Sequence, residues 1–109
     1  MSQAYIIAFK VLPTENSIMP PDMGAAYVSC FTTGETVEVA AEKAVYHLAS
    51  DGLYPEDLVS AHLLDISDWE QYKGDKWPEQ ASRLISQQGF EEAMAAGQVV
   101  YGPFGGYSG

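Results

Sequence analysis

The sequence GETVEVAAEKAVYHLASDG, residues 34–52, has the pattern of a surface helix that packs on a flat partner. Its apolar residues recur at steps of three and four, which places them on one face of a helix. Thr36 precedes the first of them, and its hydroxyl can accept a hydrogen bond from the first turn. Gly52 favours the left-handed conformation that ends a helix. The stretch therefore predicts a helix of about four and a half turns.

Two strands are predicted before this helix. Residues 4–12 alternate between two apolar faces and stop at Pro13, and residues 25–32 are apolar on both faces, which is typical of a central strand. Between them, residues 14–24 are rich in turn formers and predict a loop of about a dozen residues.

A third strand is predicted over residues 58–66, and shorter elements follow it. Ser67 and Glu70 have the spacing of a capping box, so a short helix begins there and ends at Gly74. Pro78, after Trp77, suits the first position of another helix. The pattern does not decide whether residues 78–96 form one bent helix or two short ones, and residues 98–101 predict a last strand.

The predicted element order is ββαβ(α)αβ, which indicates the α+β class. We expect a single two-layer sandwich, with a sheet of three or four strands and helices packed on one face, ferredoxin-like in general architecture. The strands on either side of the helix at residues 34–52 form a right-handed crossover with it if they are parallel neighbours. We expect them to be adjacent, and the alternative is that another strand lies between them. Residues 1–104 are predicted to form one domain, and residues 105–109 a flexible glycine-rich tail.

Charge is the most informative feature of the composition. Fifteen acidic residues against five Lys and Arg give the 109-residue chain a formal net charge of −10. Binding to phosphate backbones requires clustered cations, so nucleic acid and anionic membranes are excluded as expected partners, whereas a basic protein is compatible with this charge. The lone cysteine and the absence of a signal sequence or a long apolar run favour a cytoplasmic protein.

Few residues in this sequence have the chemistry of a catalytic or metal site. Cys30 lies in a predicted strand without a positive neighbour, so we interpret it as a core residue. His47 falls near the C-terminal end of its helix, where an imidazole complements the helix dipole. His62 lies in the third predicted strand, and no spacing among these residues matches a known metal site. We therefore predict no catalytic residue, cofactor or metal.

An acidic and aromatic segment is the strongest candidate for a binding surface. Eight of the fifteen acidic residues lie between Asp51 and Glu79, and both tryptophans of the chain lie among them. Aromatic residues beside charges serve as anchors in protein interfaces, but they also seal the ends of small cores, and acidic residues are often simply solvated. The candidate interface residues are Asp57, Asp68, Trp69, Glu70, Tyr72 and Trp77.

Two short stretches resemble known families. CFTTGETVE, residues 30–38, followed by Ala40 and Ala44, resembles the strand-to-helix junction of HicB-type antitoxins, although the proline-rich turn of that family before the cysteine is absent. IIAFKV, residues 6–11, is similar to the first strand of dimeric ferredoxin-like monooxygenases, in which a helix follows at once, whereas here Pro13 and a loop follow. Both resemblances imply a small α+β domain, and we assign the chain to neither family.

These features lead to two hypotheses about function. The first is a non-enzymatic protein–protein interaction module, such as an inhibitor or an immunity-type factor, that binds a basic partner through the acidic and aromatic segment. The alternative is a ferredoxin-like dimer that binds a small ligand, or performs simple acid–base chemistry, in a pocket lined by His62 and nearby aromatic residues. A homodimer is compatible with both.

Overall fold

In the computed structural model, residues 3–14 and 24–106 are described, and they form an antiparallel open sheet with three α-helices. The elements in chain order are β1 (Gln3–Pro13), β2 (Ala26–Thr32), α1 (Val37–Ser50), β3 (Leu53–Asp65), α2 (Trp69–Lys76), α3 (Gln87–Ala95), β4 (Val100–Tyr101) and β5 (Gly105–Gly106). The four main strands lie in the order β3-β1-β2-β4. This confirms the α+β class, and most of the predicted loop at residues 14–24 lies outside the described residues.

Helix α1 begins and ends as its sequence predicts. The hydroxyl of Thr36 accepts a hydrogen bond from the backbone N–H of Val39 at 3.2 Å. Gly52 follows the helix with a φ of 77°, the left-handed conformation that glycine adopts without steric cost. Ala40, Ala44 and Leu48 are completely buried against the sheet, so the apolar stripe of α1 forms its packing face.

The helices cover both faces of the sheet, not one face as the sequence suggested. Ile7, Phe9 and Val11 of β1 belong to the cluster that contains the buried residues of α1. The alternate residues Ala4 and Ile6 belong to a second cluster, which contains the buried residues of α2 and α3. Because successive side chains of a strand point to opposite faces, the two clusters lie on opposite sides of the sheet. An apolar stripe on a helix does not specify which face it covers, so the single-face prediction had no local basis.

The position of β1 determines how the strands before and after α1 lie relative to each other. Both β2 and β3 pair antiparallel with β1, so they run parallel to each other with β1 between them. The expectation that these two strands are adjacent is therefore wrong, and the alternative with an intervening strand is found. The ferredoxin-like order alternates βαββαβ, and the present chain instead begins with the antiparallel pair β1 and β2.

Several element boundaries differ from the sequence-based expectations. β3 begins at Leu53, five residues earlier than predicted, and includes Pro55, which an edge strand tolerates. α2 continues through Gly74 to Lys76, because its packing compensates for the modest cost of one glycine. No α-helix begins at Pro78. Residues 78–96 instead contain a 3₁₀ turn at Ala81–Arg83 and the single helix α3, whose first turn is capped by Ser86.

The glycines near the C-terminus are part of the sheet. Gly105 and Gly106 form β5 and pair with Tyr27 and Ala26 of β2, so the flexible tail predicted from Gly105 onward does not begin there. Glycine has a low preference for strands, but pairing with the backbone of β2 outweighs it. Residues 107–109 lie outside the described residues.

Candidate functional site

The outer edge of β3 is the most exposed regular surface of the described structure. β3 is 13 residues long, lies at one end of the sheet and pairs with β1 on its inner side. Leu58, Val59 and Leu63 expose 46%, 52% and 55% of their surface. We call the outer backbone of β3 and these three side chains the β3 edge. Backbone N–H and C=O groups along such an edge are available to pair with another strand.

A bulge changes the direction of side chains within β3. Ala8 of β1 pairs with Ser60 while Phe9 pairs with Leu58, so Val59 is an extra residue in β3. His62 and Leu58 therefore point to opposite faces, whereas regular alternation predicted that they share one. The bulge leaves apolar side chains exposed on both faces of the same edge strand.

The charges of β3 lie near its ends. Residues 58–64 carry no acidic or basic side chain apart from His62, and Asp57 and Asp65 flank them. Asp57 is exposed and lies opposite Lys10, whose Nζ is 3.4 Å from Glu56 Oε1. β3 contains no Lys or Arg, the charges with which many edge strands discourage unwanted pairing. The run at residues 58–64 of the β3 edge is thus mainly apolar and has an acidic residue on either side.

Two further acidic candidates lie at the start of α2, and they differ in their surroundings. Asp68 is exposed and its side chain makes no capping hydrogen bond. Glu70 is engaged within the fold, because its carboxylate lies 3.1 Å from Lys73 Nζ and accepts a hydrogen bond from the Gln87 backbone N–H at 3.0 Å. Glu70 therefore joins α2 to the start of α3, a structural role that the sequence did not indicate.

Trp69 is not available as an interface anchor, and this part of the predicted interface needs correction. Its side chain is completely buried and stacks on Phe90, with ring centroids 4.4 Å apart and 7° between the planes. Its indole N–H donates to the Ile85 carbonyl at 2.7 Å. Phe31 packs edge-on against Trp69 at 5.0 Å. Trp69 is the centre of the core on this face of the sheet.

Tyr72 and Trp77 are half-buried at the margin of the same core. Both rings pack edge-on against Phe31, with centroid distances of 5.8 and 6.1 Å. Burial raises the pKa of the Tyr72 hydroxyl. A side chain on Gly102 would begin 2.6 Å from the Trp77 ring, so this glycine allows the indole to lie against the backbone. Trp77 also lines a shallow groove of about 270 Å³ together with Tyr27 and Val59.

His62, the residue of the predicted pocket, lies on the open part of β3. It pairs with Ile6 of β1 and is exposed. It lines neither the Trp77 groove nor the larger groove described next. The pocket at His62 therefore stays a prediction.

A larger groove runs along the other side of α1, at the end of the sheet opposite β3. It has a volume of about 630 Å³, within the range of small-molecule sites. One wall belongs to α1 and the other to the turn between α3 and β4. We call it the α1 groove, and its walls are Glu42, Lys43, Tyr46, His47, Gly97, Gln98 and Val99.

Three polar side chains meet beside the α1 groove. The Tyr101 hydroxyl donates to Asp51 Oδ2 at 2.7 Å, and His47 Nε2 lies 3.6 Å from the same oxygen. The His47 and Tyr101 rings pack edge-on at 5.3 Å. Burial, and then the hydrogen bond to Asp51, raise the pKa of Tyr101. The four-residue spacing of His47 and Asp51 is visible in the sequence, but Tyr101 is 50 residues further on and has no local signal.

Cys30 is a core residue, as the sequence predicted. It is completely buried, and burial raises the pKa of its thiol to about 12. Because the thiolate is the reactive form, the folded protein holds Cys30 as an inert thiol near neutral pH.

We expect a thiol reagent to modify Cys30 very slowly in the native protein and rapidly in denaturant, because only unfolding exposes the sulfur. Labelling followed by mass spectrometry at increasing urea concentration would measure this. The same labelling rate with and without urea would contradict the buried position of Cys30.

Comparisons with family models, with curated proteins and with solved structures gave no match to this chain. The two local resemblances remain expectations. Among the described residues, no group of three or more His, Cys, Asp or Glu side chains is placed to hold a metal ion. In the same residues, the helices are too short or too polar to cross a membrane.

Proposed function

We propose that this chain is a small non-enzymatic interaction module that binds an extended basic segment of another protein by strand addition to the β3 edge. The observation that carries the proposal is an edge strand of 13 residues in which exposed apolar side chains lie in a run, residues 58–64, flanked by Asp57 and Asp65. In strand addition, backbone hydrogen bonds provide affinity and alternate side chains provide specificity.

Charge complementarity favours a basic partner. The chain has a net charge of −10, so a cationic segment is attracted over distances of about one Debye length and an acidic one is repelled. Asp57 is an exposed carboxylate at one end of the apolar run. Such charges mainly accelerate association, whereas apolar contacts at the centre slow dissociation. An inhibitor or immunity-type factor in the cytoplasm fits this division of roles.

The apolar anchors proposed here differ from those expected from the sequence. Trp69 is buried and Trp77 is half-buried, so Leu58, Val59 and Leu63 replace them as the central contacts. Asp57 keeps its proposed role, and the exposed Asp68 adds to the general acidic field. The proposal for Glu70 and Tyr72 is weaker, because both make contacts within the fold.

A synthetic ten-residue peptide of alternating lysine and valine provides a direct test. We expect it to bind the protein at low ionic strength, and a glutamate–valine peptide of the same length not to bind. Leu63→Ser should weaken binding about tenfold, because the leucine loses apolar contact. Val39→Ser is the matched control, since Val39 is similarly exposed on α1 and should leave binding unchanged. Calorimetry measures both.

Two further measurements distinguish strand addition from charge attraction alone. Asp57→Asn should weaken binding about two- to fivefold, while the exposed control Asp75→Asn should have no effect. A lysine–valine peptide methylated on every backbone nitrogen cannot donate to the edge and should fail to bind. If it binds as well as the unmodified peptide, strand addition is wrong.

A second copy of the chain is the competing occupant of the β3 edge. Two copies related by a two-fold axis can pair β3 with β3 and form one continuous sheet. Sedimentation analysis with and without the peptide separates the two cases. A stable dimer that dissociates on Leu63→Ser and excludes the peptide would contradict the basic-partner proposal.

A further inference from the structure

We propose that the α1 groove binds a small carboxylic acid with an apolar body. The groove lies beside β4, at the opposite end of the sheet from β3. This site is therefore separate from the proposed interface and does not depend on it. The groove combines two nitrogen groups, on Lys43 and His47, with two apolar side chains, Tyr46 and Val99, and a volume of about 630 Å³.

Lys43 provides the first positive group. Its Nζ donates to the Thr33 carbonyl at 2.7 Å, which holds the side chain against the body of the protein. An ammonium group has three N–H donors, so two remain to bind a carboxylate. Because the lysine is already held in place, a ligand does not have to pay the full entropy of ordering it. Lys43 is also one of only five Lys and Arg residues in a strongly acidic chain.

His47 provides the second nitrogen group, one turn further along α1. Its ring packs edge-on against Tyr101 at 5.3 Å, and its Nε2 lies 3.6 Å from Asp51 Oδ2. These contacts restrict the rotation of the ring. Asp51 does not line the groove, and its carboxylate accepts the Tyr101 hydroxyl at 2.7 Å. The acidic partner of His47 is therefore engaged by Tyr101 and does not line the groove.

The apolar side chains of the groove suit the part of the ligand that carries no charge. Tyr46 exposes 77% of its surface, and Val99, in the turn before β4, lines the same groove. An exposed aromatic ring beside a positive group suits a ligand with an aromatic or aliphatic body and one carboxylate. The volume of about 630 Å³ holds a molecule of that size.

Glu42 is the acidic residue of the groove, and its effect on ligand binding should be opposite to that of Lys43. It lines the same groove and would repel a carboxylate, but it is exposed, so water screens its charge. Removing this charge should therefore strengthen the binding of an acid. Lys43 and Glu42 thus predict opposite effects for the same ligand.

Two probes that share a phenethyl body and carry opposite charges, 3-phenylpropionate and phenethylamine, separate the charge preferences. The protein contains two histidines, so ring NMR signals report on the groove through His47 and on the exposed strand through His62. We expect 3-phenylpropionate to shift the His47 signals in a saturable way and leave His62 unchanged. Phenethylamine should shift neither.

Variants complete the experiment. Lys43→Gln should weaken binding of 3-phenylpropionate about five- to tenfold, and Glu42→Gln should strengthen it about twofold. Lys76→Gln is the matched control, because Lys76 is exposed and lies outside the groove. Tyr46→Ala provides a second test should Lys43→Gln unfold, since the exposed Tyr46 leaves the core intact and its loss should weaken binding about threefold.

Two results would overturn the proposal. The first is saturable binding of phenethylamine that Glu42→Gln weakens, which would make the groove a site for cations. The second is the absence of any His47 shift with 3-phenylpropionate at concentrations that saturate weak sites, while thermal melting shows a folded protein. Failure of peptide binding at the β3 edge has no bearing on either result.

Discussion

Replacing Ala44 with aspartate should destabilise the protein by at least about 3 kcal/mol. Ala44 is completely buried between α1 and the sheet, in contact with the apolar cluster around Ile7 and Val28. A carboxylate placed there loses its hydration and is surrounded by apolar side chains. A small domain has a total stability of about 5–15 kcal/mol, so this single change removes a large part of it.

Urea unfolding monitored by circular dichroism would measure this effect. Ala49→Asp is the matched control, because Ala49 lies on the exposed side of the same helix. Ala49→Asp should lower the free energy of unfolding by less than about 1 kcal/mol. This value includes the unfavourable interaction of a negative charge with the C-terminal end of the helix dipole. Similar losses of stability for the two variants would show that α1 does not pack on the sheet through Ala44.

The second large effect is expected at Trp69. Trp69→Ala should cost about 3–5 kcal/mol, as large-to-small changes at buried aromatic positions do. The substitution removes the stacking on Phe90 and the edge contact with Phe31, which connect α2 and α3 to β2. It also removes the indole hydrogen bond to the Ile85 carbonyl.

Trp69→Phe separates these contributions. Phenylalanine keeps most of the apolar contact, and the Ile85 carbonyl still accepts a hydrogen bond from Lys73 Nζ at 3.0 Å. We therefore expect a smaller loss of about 1–2 kcal/mol. Tyr46→Ala, at an exposed aromatic residue, should change stability by less than about 0.5 kcal/mol. If Trp69→Ala were as mild as Tyr46→Ala, Trp69 would be a surface residue, as the interface hypothesis had assumed.

Local chemistry was sufficient to predict α1 and the course of the first two strands. The cap at Thr36, the stripe of Ala40, Ala44 and Leu48, and the left-handed Gly52 all depend on residues close in the chain. The same holds for β1, whose alternation indicated a strand, and for β2, whose two apolar faces indicated a central strand. These local predictions are correct because the tertiary packing favours the same helix and strands as the local sequence does.

The candidate interface was predictable only in part. The acidic character of residues 51–79 follows from composition, and Asp57 and Asp68 are exposed. Trp69 lies among acidic residues in the sequence and is nevertheless the centre of a core, because Phe31 and Phe90 reach it from distant parts of the chain. An aromatic residue flanked by charges has no local property that distinguishes an anchor from a core residue.

The sequence by itself determined the α+β class, the acidic charge, the packing face of α1 and the burial of Cys30, since each depends on composition or on periodicity within one element. Tertiary structure decided which strand lies at the edge and which helices share a face. It also brought Tyr101 to Asp51 and His47 across 50 residues. Contacts between distant segments have no local sequence pattern, because they depend on how all the strands and helices pack together in the folded chain.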